Sequence, residues 1–147
     1  MLGAIKYGRQ NPLPTKDMLM RFWTAAAPQL AHHAFFIDDN ARPTIAAGFG
    51  SVVERLGIKV PACAIMNDHV HVLTLHCQYR IEYIVNQLKG AATRAMKFKQ
   101  TPWTRGCWKV FIDDNETLVG AVNYIRANSI YAGLPAQSWD FVTPLSV

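Results

Sequence analysis

The chain has 147 residues, half of them hydrophobic, and a formal net charge of +5. That length supports one domain with its own core and is too short for two ordinary ones. It holds no run of about 18 apolar residues, no basic-then-apolar leader and only three widely spaced cysteines, so a soluble, cytoplasmic protein with reduced thiols is expected, without membrane span, secretory signal, disulfide frame or zinc ribbon.

Residues 1–30 carry turn signals at Gly8, Asn11-Pro12 and Pro14 and a short candidate helix over 17–26; they are read as an extension ahead of a domain covering 31–147. The run His32-His33-Ala34-Phe35-Phe36-Ile37 suits a strand that ends in the polar turn Asp38-Asp39-Asn40. His33 suits sheet packing better than a ligand role. A helix follows over 44–56, where Ile45, Phe49, Val52, Val53 and Leu56 line one face, Gly48 and Gly50 weaken it and Gly57 closes it.

Two strands over 59–65 and 69–75, joined at Asn67-Asp68, read as a hairpin. The clearest helix spans 79–98, with Ile81, Ile84, Val85, Leu88, Ala92, Ala95 and Met96 inward and Asn86, Lys89, Thr93 and Lys97 outward. Thr101-Pro102 breaks the pattern before a strand over 108–112, and a last helix runs from Asp114-Asn115-Glu116 through Asn128. The order strand, helix, two strands, helix, strand is the split βαββαβ plan of an α+β fold, ferredoxin-like: an antiparallel sheet with helices on one face, here followed by an extra helix.

Three groups in these elements carry chemistry. His69 and His71 are two apart on a strand, so both imidazoles face one way while Val70 and Val72 face the other. Tyr124 and Asn128 are four apart on the last helix, roughly 5–6 Å between Cβ atoms. Two imidazoles and an amide oxygen form a mixed site that leaves positions on a divalent ion open to phosphate oxygens, and the phenol beside it is a candidate nucleophile. Each group taken alone also has an ordinary reading: histidines bound to backbone or water, a core tyrosine with its hydroxyl at the rim, an asparagine near a helix end.

From Lys89 to Lys109 there are six basic residues and no acidic one: Lys89, Arg94, Lys97, Lys99, Arg105 and Lys109. Interleaved with Trp103, this block suits unpaired bases and a bare phosphate chain, so Lys89, Arg94, Lys97, Lys99, Trp103 and Arg105 are candidate nucleic-acid contacts. Trp108 reads as core.

Met66-Asn67-Asp68-His69-Val70-His71-Val72-Leu73 resembles the HUH motif of the single-tyrosine, IS200-like transposases. Tyr124-Ile125-Arg126-Ala127-Asn128-Ser129-Ile130-Tyr131-Ala132-Gly133-Leu134 resembles their tyrosine helix, most of all that of the REP-associated branch. Leu88-Lys89-Gly90-Ala91-Ala92-Thr93 is similar to the family's Leu-Lys helix, and Cys107-Trp108-Lys109-Val110-Phe111-Ile112-Asp113-Asp114 to the strand after it. Ser138-Trp139-Asp140-Phe141 resembles the tryptophan segment behind the tyrosine helix, so the likeness runs from Ala31 to Phe141.

The resemblance implies that His69, His71 and Asn128 hold Mg²⁺ or Mn²⁺ and that Tyr124 attacks a DNA phosphate. It implies cleavage of single-stranded DNA beside hairpins through a 5′-phosphotyrosine link, by a homodimer that uses no nucleotide cofactor. Two departures stand out: Asn67-Asp68 where many members have Pro-Asn, and Ser129 in place of a proline. They keep two alternatives open, a domesticated module that binds DNA hairpins without cutting them and a metal-dependent hydrolase using Asp68 on a small phosphoester. The basic block disfavours the hydrolase.

Overall fold

The computed structural model describes residues 2–7 and 35–145. Its sheet has four strands: β1 (Leu2–Tyr7), β2 (Ala62–Ile65), β3 (Val70–Thr74) and β4 (Trp108–Ile112), in the order β2-β3-β1-β4. The helices are α1 (Ala41–Leu56), α2 (Ile81–Ala95) and α3 (Asn115–Tyr131). The fold is α+β, and β2 and β3 form the expected antiparallel hairpin.

The central strand differs from the sequence expectation. Leu2–Tyr7, set apart there as an extension, lies between β3 and β4 and runs parallel to both. The strand expected over 32–37 is not formed at Phe35, Phe36 and Ile37, where Ile37 instead donates its N–H to the Asn67 carbonyl at 2.7 Å. Its first residues, His33 among them, lie outside the described residues, as does the candidate helix over 17–26. β3 and β4 run parallel on either side of β1, and the crossover that such strands need is supplied by α2.

Side-chain alternation divides the core in two. Cys63, Ile65, Val70 and Val72 pack under α1 and α2, with Ile45, Phe49, Val52, Ile84 and Leu88. Ala62, Ala64, Leu73, Val110 and Ile112 point the other way and bury Leu118, Ala121, Val122 and Ile125 of α3. Thus α3 covers the face opposite the other two helices.

Gly48 marks where α1 and α2 press closest. A Cβ there would stand 2.9 Å from the Ala91 carbonyl oxygen and 3.0 Å from its carbon, both backbone atoms of α2. The glycine that weakens α1 as a helix is thus the residue that lets the two helices meet. Gly48→Ala is expected to destabilise by about 1–3 kcal/mol, the usual cost of overpacking, although alanine is the better helix former by about 1 kcal/mol. Urea unfolding checks the sign.

The ends of α3 are set locally. Asp114 caps its start, accepting from the Thr117 amide at 2.7 Å. At the far end Gly133 takes φ +76°, Leu134 N–H bonds the Ser129 carbonyl at 2.8 Å and Gly133 N–H bonds Ile130. A proline at 129 would remove an N–H inside the helix; with Ser129 there, α3 runs on to Tyr131. The chain then returns to the sheet edge, where the Gln137 side chain accepts from Ile65 N–H at 2.8 Å and donates to Ile65 carbonyl at 2.7 Å.

Candidate functional site

The β2–β3 turn closes with Met66 N–H on the His69 carbonyl at 2.8 Å. His71, opposite Ala64 in the hairpin, faces α3. The Nε2 atoms of His69 and His71 stand 3.2 Å apart, their rings near perpendicular at 89°. The Tyr124 ring of the same chain lies against His71, 6.2 Å between centroids.

Asp68 orients the pair. Its Oδ1 is 2.6 Å from His69 Nδ1, and since an ionised carboxylate only accepts, Nδ1 carries a proton and Nε2 is the nitrogen turned toward His71. That hydrogen bond is the main reason the Asp68 carboxyl is held below its ordinary range. Asp68, expected at the junction of the hairpin, stands there and on the outer side of the imidazole.

Arg42 steadies this turn from α1 through a partner distant in the chain. It is 5 % exposed, and one guanidinium nitrogen donates to the Ile37 carbonyl at 3.1 Å and to Asn67 Oδ1 at 2.8 Å. The other pairs with Asp39. A buried arginine with these acceptors fixes Asn67 by its side chain, while Ile37 fixes it by its backbone.

Burial pushes the His71 pKa well below its ordinary 6.5, with His69 adding to the shift and Asp68 opposing it. The folded protein therefore keeps this imidazole neutral, while the unfolded chain protonates it near 6.5. The unfolded state then binds more protons, so this contribution to stability is full above pH 6.5 and is lost as pH falls toward the depressed value. Unfolding measured from pH 7.5 to 5 should show that loss in the native chain and a flatter profile in His71→Gln.

Burial also raises the Tyr124 pKa, and the nearby Asn128 amide offsets part of the rise. Even an ordinary phenol is ionised only about once in a thousand at pH 7. Asn128 Nδ2 is buried and, among the described residues, has no partner at full hydrogen-bond geometry. A half-turn of the amide would present its oxygen in the same place.

These residues suit a divalent cation. Two nitrogens each about 2.1 Å from one ion, at an angle of 90–110°, stand roughly 3.0–3.4 Å apart, and the observed 3.2 Å falls in that window. The described residues hold no cluster of three or more His, Cys, Asp or Glu able to bind a metal. Among the described residues near the pair, the Asn128 amide and the Tyr124 phenol are groups that could add an oxygen ligand.

The basic block divides. Arg94, Lys97, Lys99 and Arg105 are exposed. Lys89, expected on the outer face of α2, is buried, and its ammonium donates to the carbonyls of Thr104 at 2.8 Å and Gly106 at 2.5 Å. Its long stem lets a residue at the flank of the apolar stripe staple the α2–β4 loop. Lys109 pairs with Glu82. Trp103 is half-buried in an edge-to-face group with Phe35, its centroid 6.3 Å away, and Phe35 meets Phe98 at 5.3 Å. Trp108, expected in the core, is 42 % exposed.

The model of the family described as Transposase IS200 like matches residues 31–126, well over half of the chain and inclusive of His69, His71 and Tyr124. No curated protein and no solved structure matches. With a histidine pair at the start of β3 facing a helix tyrosine, and a family match across both, the chain belongs to the IS200-like transposases, a family of DNA-processing enzymes.

Proposed function

We propose that this transposase cuts and rejoins single-stranded DNA beside hairpins, with Tyr124 as nucleophile and a Mg²⁺ or Mn²⁺ ion held by His69, His71 and Asn128. The observation that carries the reading is the convergence of two imidazole nitrogens 3.2 Å apart directly against the Tyr124 ring. The bound ion would supply charge that polarises the scissile phosphoryl oxygen. Everything else falls to the chain. Asp68 keeps His69 in the tautomer whose Nε2 faces inward. Burial keeps His71 neutral and available as a donor.

Tyr124 attacks phosphorus in line. Its phenolic oxygen forms the new P–O bond, the phenol proton leaves to solvent, and the bond to the 3′ oxygen breaks; that oxygen takes a proton to become a free 3′-hydroxyl. Attack by a 3′-hydroxyl on the phosphotyrosine reverses these bonds and rejoins a strand. Arg94, Lys97, Lys99, Arg105 and Trp103 serve the DNA, the cations as phosphate contacts. Lys89 serves the loop. The tyrosine-helix sequence favours hairpins of the REP-associated type as targets. The homodimer belongs to the same reading, although each chain has its own tyrosine beside its own histidines.

The test is cleavage of end-labelled oligonucleotides. Cleavage of a hairpin with a single-stranded flank, dependent on Mg²⁺ or Mn²⁺ and absent on the same sequence in duplex form, supports the proposal. Turnover of a small phosphodiester with no cleavage of any DNA would replace it with the hydrolase.

A further inference from the structure

The strand register places a tryptophan beside the histidine pair. Gly3 of β1 is aligned with His71 on one side and with Trp108 on the other. Aligned residues of parallel strands point to the same face, and Trp108 alternates with Val110 and Ile112, which bury under α3. Trp108 and His71 therefore share a face, two strands apart, roughly 10 Å between Cα atoms. The residue between them has no side chain.

Among the described elements, α3 lies mainly over β2 and β3 and little over β4. The start of α3 packs Leu118 with Val110 and Ile112, and the helix then crosses to β2 and β3, where Tyr124 meets His71. Trp108 stays 42 % exposed at the level where the helix has moved away. The loop leading into it carries exposed Lys97, Lys99 and Arg105 and no acidic residue. An aromatic plane thus stands between a cationic loop and the histidine pair, an arrangement suited to unpaired nucleic acid.

We infer that Trp108 is the stacking platform for an unpaired nucleobase adjoining the phosphate presented to His69, His71 and Tyr124. This rests on the DNA reading above and adds a base contact to it. The α2–β4 cations hold the backbone, and the indole fixes where along the strand the scissile phosphate stops. Every base has a π-face, so the contact tolerates sequence.

The test measures binding of fluorescein-labelled hairpin DNA with a single-stranded flank to the native chain, Trp108→Phe and Trp108→Ala, together with a scan of single abasic positions along the flank. Trp108→Ala should weaken binding by at least about fivefold, and Trp108→Phe should recover most of it. One abasic position should cost the native chain a similar factor and cost Trp108→Ala nothing further, because both changes remove one contact. Equal binding by Trp108→Ala, losses that multiply, or a flat abasic scan on the native chain would each overturn the inference while leaving Tyr124 chemistry intact. A native chain that binds no single-stranded DNA would overturn the DNA reading itself.

Discussion

Tyr124→Phe is expected to bind hairpin DNA like the native chain and to cut none of it. The substitution removes one oxygen from a half-buried ring that packs on His71, so the fold and the cationic loop stay in place. Loss of a covalent nucleophile elsewhere costs up to about 10⁶ in rate, and a drop on the order of 10⁴ or more is expected here. Binding should keep its dependence on salt, since that slope counts phosphate contacts and not the nucleophile. The measurement pairs anisotropy titration at two salt concentrations with single-turnover cleavage. Persistent cleavage would move the nucleophile, first to Tyr131, which lies seven residues on along the same side of α3 and is 71 % exposed.

His69→Ala and His71→Ala should each lower cleavage by more than about 100-fold, because changes to groups outside a ligand shell already cost roughly 10–100-fold. The two differ in stability. His71 is 3 % exposed and fills space between β3 and α3, so its truncation should also lower the melting temperature. His69 is partly exposed at the turn, and its loss should fall mainly on metal affinity. Titration of Mn²⁺ followed by its electron paramagnetic resonance separates the effects. Native Mn²⁺ affinity in both variants would discard the metal assignment.

Local signals carried the histidine hairpin and the tyrosine helix. Alternation around Val70 and Val72 and a four-residue step from Tyr124 to Asn128 each follow from one element's geometry, and the structure places the histidines and Tyr124 together. The face of α1 with Ile45, Phe49, Val52, Val53 and Leu56 was legible for the same reason, and all five are buried.

What was missed depends on partners distant in the chain. Arg42 meets Asn67 across 25 positions, and nothing near Arg42 signals it. Lys89 looked outward because a polar residue beside an apolar stripe reads as solvated, whereas its ammonium meets carbonyls of the next loop. Trp108 looked buried because it shares an alternation with Val110 and Ile112; how far α3 covers β4 is a tertiary fact. The place of Leu2–Tyr7 is likewise set by pairing with strands far downstream, one of them beyond a crossover.

Incubation of the native chain with hairpin DNA in Mg²⁺, Mn²⁺ or EDTA, followed by peptide mapping of any covalent adduct, tests the central claim most directly. A metal-dependent adduct of a 5′-phosphate on Tyr124, lost in EDTA, is the predicted result. Tight hairpin binding without an adduct in either metal would contradict it and identify a module that holds DNA without cutting it.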